Sequence, residues 1–201
     1  MTEEDLRCVK ELYHLWKPVY PFLARHVAGL YGRHGGRAVE LGPFAGAIYA
    51  LADRGVAEHF TLAPFSTELA TFFREETNHS GYGSRIEVLS TDQSFTNIPS
   101  FGADLIVFRG AFFFPGHFHA DLKAVGRILS PGGMAFVGGG FGRDTPAGVI
   151  SSIAARSHEL NERLGKQDVH PHDLKGRIAE AGLEGMATVT TEGGLWVVLR
   201  K

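Results

Sequence analysis

The 201-residue chain, 44% hydrophobic and 21% charged, has the length and composition of one ordinary globular domain with a sizeable core. A formal net charge of −2 leaves no broad electrostatic footprint for nucleic acid or an anionic membrane, and no apolar run reaches the length of a membrane span. The acidic opening MTEEDL is not the basic start of a secretory signal, and the single cysteine, Cys8, cannot close an internal disulfide, which fits a reducing cytoplasm.

Two helices are expected over the first 31 residues. Leu6, Val9, Leu12, Tyr13 and Trp16 fall near one stripe that Pro18 interrupts, and YPFLARHVAGLY carries a second amphipathic pattern that ends at GRHGG. Strand and helix then alternate. RAVEL (37–41) reads as a strand and the small apolar stretch 44–53 as a tightly packed helix. HFTLA (59–63) is a second strand, and Ser66 is an N-cap for a helix through about residue 78. RIEVLS (85–90) is a third strand, and ADLIVFR (103–109) has the continuous apolar character of a central strand covered on both faces. FHADLKAVGRIL is an amphipathic helix that stops at SPGG, and MAFVGG is a fifth strand. Helices are expected over 146–164 and 171–181, and the tail forms a hairpin around Glu192, Gly193 and Gly194. Repeated strand–helix units imply a parallel sheet with helices on both faces, and the hairpin implies an antiparallel edge strand.

Ligands of such sheets bind beyond the carboxyl ends of the strands, where the strand order reverses. The loops GPFAG, APFST, TDQSF, RGAFFF and GGGFG each follow an expected strand, so together they mark a small-molecule site. Gly42 and Gly46 allow a tight turn and close approach of a ligand to the backbone. A dinucleotide fingerprint starting at Gly42 needs glycines at 44 and 47, where Phe44 and Ala47 stand, and the lysine of a P-loop is absent. Pro43 and Phe44 either stiffen the loop as an apolar wall or begin the next helix and pack inward. GGGFG, with three successive glycines, points to close approach by a substrate or to a tight loop.

The order of these pieces resembles the class I, Rossmann-like S-adenosylmethionine-dependent methyltransferases, from about residue 37 to the end. VELGPFAG is similar to the first motif of that family, with Glu40, Gly42 and Gly46 in place and Phe44 as a departure. RIEVLSTDQSFTNIP resembles the segment whose acidic residue, here Asp92 with Gln93 and Ser94 after it, lies near the adenine. GADLIVFRGAFFF resembles the fourth strand and its loop, and AVGRILSPGGMAFVGGG the helix–turn–strand that follows. The resemblance implies a seven-stranded sheet of order 3-2-1-4-5-7-6 with strand 7 antiparallel, S-adenosylmethionine as cofactor, and residues 1–36 as a helical lid over a core of 37–201. It implies cofactor contacts from Glu40, Gly42, Pro43, Phe44, Gly46, Ala63, Pro64, Phe65, Asp92, Gln93, Ser94, Arg109 and Gly110. Ala63 stands where the family carries an acidic residue for the ribose hydroxyls, a loss worth about tenfold to a hundredfold in affinity.

Methyl transfer from a sulfonium asks the protein mainly for orientation and exclusion of water, so no catalytic base is singled out. Trp16 and Tyr20 from the helical extension, with Phe112, Phe113 and His117 after strand 4, are expected to line the substrate side, which suggests an apolar or aromatic small molecule. Arg109 is placed to meet a carboxylate of cofactor or substrate. The pairs His117/His119 and His170/His172 lack a third ligand at metal-binding spacing, and HPHD reads as a helix start. Aromatics exposed on the first two helices would equally serve a homodimer interface. Ala63 and Phe44 also motivate an alternative, a non-catalytic binding or partner protein that has lost or changed its cofactor.

Overall fold

The computed structural model describes residues Met1–Lys201. Thr2 and Asp5 cap each other's backbone amides and open helix α1 (Glu3–Leu15), and α2 (Tyr20–Tyr31) follows with Pro21 in its first turn. Strand β1 (Arg37–Leu41) leads into the short α3 (Ala47–Asp53), and β2 (His59–Ala63) into α4 (Thr67–His79), where the Ser66 hydroxyl accepts from the Leu69 amide at 3.2 Å. After β3 (Ile86–Val88) and β4 (Ala103–Arg109), Asp121 caps α5 (Leu122–Ile128), which runs into β5 (Leu129–Gly140). Helices α6 (Ala147–Arg163) and α7 (Pro171–Glu180) precede the hairpin of β6 (Ala187–Thr190) and β7 (Gly194–Arg200). As HPHD suggests, Pro171 opens α7 and Asp173 accepts from the His170 amide at 2.8 Å.

The seven strands form one sheet of order β3-β2-β1-β4-β5-β7-β6, and β7 is antiparallel to both neighbours. Five of the seven residues of β4 are buried hydrophobics, as a strand covered on both faces requires. A single core of 59 buried residues joins the sheet to its helices, with α2 packed on α3 and α1 on α6.

Two expectations are corrected. The helix expected from residue 44 begins at Ala47, because the Glu40 carboxylate accepts from the Gly46, Ala47 and Ile48 amides and fixes its first turn there. SPGG, expected as the turn between the helix and a fifth strand starting at MAFVGG, lies within β5, because Lys201 pairs with this stretch: the Gly132 amide donates to the Lys201 carbonyl, and the Lys201 amide to that of Gly133. The antiparallel strand β7 lies between β5 and β6, as the resemblance implied, and leaves β6 at the edge. The aromatics Tyr13, Trp16 and Tyr20 of the helical extension are buried; the large apolar side chains left exposed are Met1, Phe101 and Met186. No helix is long and apolar enough to cross a membrane.

Candidate functional site at the carboxyl edge of the sheet

Strand β1 pairs with β2 on one side and β4 on the other, so the strand order reverses at the β1–β4 boundary. The loops after β1 and β4 flank that switch point, where this architecture places its ligands. The Glu40 side chain is fully buried and binds the start of α3 through three amides at 2.8–3.1 Å. Burial pushes its pKa up, against the pull of those amides and the nearby Arg109 guanidinium. Glu40 therefore holds the loop, and both its oxygens are already engaged.

The bare faces of three glycines that would admit a ligand are covered by the chain's own rings. At Gly42, with φ of 88°, an added Cβ would meet the Phe108 ring at 2.7 Å and Phe65 at 3.5 Å. At Gly46 it would collide with the Tyr20 ring, and at Gly110 with the Phe44 ring. These rings belong to a wider cluster. Phe44 lies 4.3 Å from Phe114 between centroids, Phe65 packs on Phe95, Phe108 and Phe118 at 5.5–5.9 Å, and Phe108 stacks on Phe118 at 5.8 Å. Each such pair contributes about 0.5–1.5 kcal/mol beyond its buried area, so the cluster is a stable filling.

The polar candidates nearby are occupied too. Ala63 is buried and offers no acceptor, and Pro64 offers its carbonyl to the Thr91 amide. Asp92 accepts from the Ser94 and Thr96 amides and the Thr96 hydroxyl in a local turn. Gln93 ties its loop to the segment after β4 through the His117 carbonyl and the His119 amide. The frame for S-adenosylmethionine is thus present in the strand ends, glycine loop and helix start. Its lining does not fit the cofactor as packed, because Phe108 and Phe65 cover Gly42, Tyr20 covers Gly46 and Phe44 covers Gly110.

Beside this filled crevice lies a cavity of about 390 Å³, within the usual range of roughly 300–1,000 Å³ for small-molecule sites. It extends from Phe44, Arg109 and Gly110 over the end of β5 at Gly139 and Gly140, and is closed by α1 and α6. Trp16 stacks on Phe141 at 4.8 Å, and its indole donates to the Ser157 hydroxyl at 3.0 Å. The guanidinium carbon of Arg109 lies 4.3 Å from the Trp16 ring. Arg109 Nε donates to the Phe44 carbonyl at 2.8 Å and Nη2 to the Tyr20 hydroxyl at 3.3 Å. Wider clefts of about 640 and 780 Å³ lie near the amino ends of β1 and β2 and by the end of α2, and neither touches the switch point.

Of the residues expected on the substrate side, Trp16 and Phe113 line the cavity. Tyr20 sits behind it, between Arg109 and the Ala45 carbonyl. Phe112 turns the other way, under the Arg177 guanidinium, and His117 contacts the Leu164 carbonyl and Asp5 of α1. The glycine run is explained without a ligand at Gly138 and Gly140, where a Cβ would strike the backbone of β7, while Gly139 accommodates the Phe113 ring. The α6 wall with Ile150, Ala154 and Ser157, and Lys166 beyond it, escaped the sequence reading because nothing in the α6 pattern marks an inward-facing polar residue.

No protein-family model matches the chain, and no curated protein matches it. Solved structures do. The chain is similar to a candidate S-adenosyl-L-methionine-dependent methyltransferase of Methanococcus maripaludis, at 22% identity and a TM-score of 0.79 over 100% of this chain and 95% of that one. It is similar, at 17% identity and a TM-score of 0.67 over 100% and 98%, to a chain in the complex of the Haloferax volcanii Trm112 methyltransferase activator with its methyltransferase partner. It is also similar to geranyl diphosphate C-methyltransferase of Streptomyces coelicolor A3(2), bound to Mg2+, geranyl diphosphate and S-adenosyl-L-homocysteine, at 13% identity and a TM-score of 0.59 over 90% and 74%. The chain has the class I, Rossmann-like fold of S-adenosylmethionine-dependent methyltransferases.

Proposed function

We propose that the chain is an S-adenosylmethionine-dependent methyltransferase acting on a small apolar or aromatic molecule, with residues 1–36 as a lid. The observation that carries this reading is the cavity at the carboxyl ends of β4 and β5, which adjoins the Gly42–Gly46 loop at the switch point. The fold supports the cofactor: solved chains of the same architecture carry S-adenosyl-L-homocysteine or sinefungin. The lid is supported by α1 and the residue that ends it, which supply Leu12 and Trp16 to the cavity wall. Bound cofactor would supply the methyl group. The chain's own contribution is to orient the acceptor on aromatic walls and keep water away from it.

The aromatic filling favours a second reading, in which the fold binds a ligand without methyl transfer. Calorimetric titration with S-adenosylmethionine separates the two. Saturable binding that yields methylated product with an acceptor supports the first, and absence of heat and of thermal stabilisation at millimolar cofactor supports the second.

A further inference from the structure

Arg109 is 6% exposed, and its polar contacts are a carbonyl and a phenol, with no carboxylate among them. Its Nη1 makes no hydrogen bond within the chain and is not sealed from the cavity it lines. A buried cation with no carboxylate in hydrogen-bonding contact is costly, and the nearby Glu40, whose oxygens are held by amides, together with the Trp16 and Tyr20 ring faces, offsets only part of that cost. The seventeen residues around the cavity include Arg109 and Lys166 and not one Asp or Glu. Trp16, Phe44, Phe113, Phe114 and Phe141 give it aromatic walls beside the aliphatic and polar side chains of α6.

We infer that this cavity binds the carboxylate of an aromatic small molecule, with the Arg109 guanidinium as the anion's partner at the closed end and Lys166 near the mouth. Nη1 and the ring-stacked plane of the guanidinium are pre-organised to receive one carboxylate oxygen in a desolvated site, where a charged hydrogen bond is strongest. The Ser157 hydroxyl, which accepts from Trp16, keeps its own hydrogen free to donate toward the same ligand. The inference deepens the reading above by naming the acceptor class. The same chemistry could come from the methionyl carboxylate of the cofactor, so the test separates the two sources.

The purified chain is titrated with 3-phenylpropanoate, with 3-phenylpropanamide and with L-methionine, each in the absence and presence of S-adenosylmethionine. The expected result is saturable binding of the acid, with the amide about tenfold to a hundredfold weaker, and no displacement of the acid by methionine. Arg109→Gln is expected to weaken the acid by a similar factor and to leave the amide unchanged. Because that variant also loses its contacts to the Phe44 carbonyl and Tyr20 hydroxyl, Lys166→Gln serves as a second variant, with a severalfold loss for the acid alone. Equal affinities for acid and amide, or no binding of the acid, overturn the inference. Displacement of the acid by methionine overturns it as well and assigns Arg109 to the cofactor's tail. Binding of the acid by a chain that ignores S-adenosylmethionine upholds the inference and defeats the methyltransferase reading; the converse result upholds the latter alone.

Discussion

Phe44 is one of the rings that fill the crevice. Its ring covers Gly110, packs on Phe114, and is 5% exposed. Replacing it with alanine is expected to lower stability by about 3 kcal/mol. The same change should tighten S-adenosylmethionine at least tenfold, because the cofactor no longer has to displace the ring. Parallel thermal melts and titrations read both effects, and loss of stability without any gain in affinity would show that the ring does not block the site. At Glu40 the three amide donors require acceptors, so Glu40→Gln turns one amide group toward N–H donors. A loss of about 1–3 kcal/mol in urea unfolding is expected.

The Trp196 indole N–H, fully buried against Phe136 at 4.1 Å, has no hydrogen-bond partner, so Trp196→Phe sacrifices only packing. It should cost far less than Trp196→Ala, which falls in the range of about 3–5 kcal/mol for emptying such a site. His26 is also buried, and its Nδ1 accepts from the Arg143 amide at 3.3 Å while Nε2 has no partner. Burial, aided by the Arg143 charge, lowers its pKa. The unfolded imidazole takes up a proton below about pH 6.5 while the folded one resists, so stability falls as pH drops below that value. Melting curves from pH 7.5 to 5 should show this slope flattened in His26→Gln, and an unchanged slope would assign the effect to other groups.

At the scale of elements, β5 and β7 are built for contact closer than side chains permit. Gly138 and Gly140 face the β7 backbone, whereas the Gly139 Cβ position meets the edge of a ring that can move. Gly138→Ala should therefore lower the melting temperature well beyond Gly139→Ala, and Gly139→Ala should act mainly on the cavity by shifting Phe113. Equal losses would contradict the pairing account. The periodicity of the chain revealed β1, β2, β4 and the helices α4, α6 and α7 because each carries one dominant pattern with a clear cap or turn. The continuation of β5 through Pro131 and Gly132 was hidden, since it depends on Lys201, far away in sequence, closing the ladder. The start of α3 was misplaced because a buried acid three residues before Pro43, rather than an N-cap in the usual position, sets its first turn.

At the scale of the whole molecule, the architecture was legible because glycine loops follow the strands in an order few folds share. The state of the site was not. Ala63 and Phe44 signalled a departure, but the filling of the crevice needs Phe65, Phe95, Phe108, Phe114 and Phe118 together, and their convergence follows from tertiary packing alone. Arg109 was singled out by its place at the end of β4. That it lies buried, out of hydrogen-bonding contact with any acid and on a cavity lined by none, is visible only in three dimensions.

The most direct test of the account is a calorimetric titration of the intact chain and of Phe44→Ala with S-adenosylmethionine. Saturable binding by both is expected, at least tenfold tighter in the variant. Absence of heat in either protein, with Phe44→Ala still folded, would contradict it and leave a methyltransferase fold that serves its ligand without this cofactor.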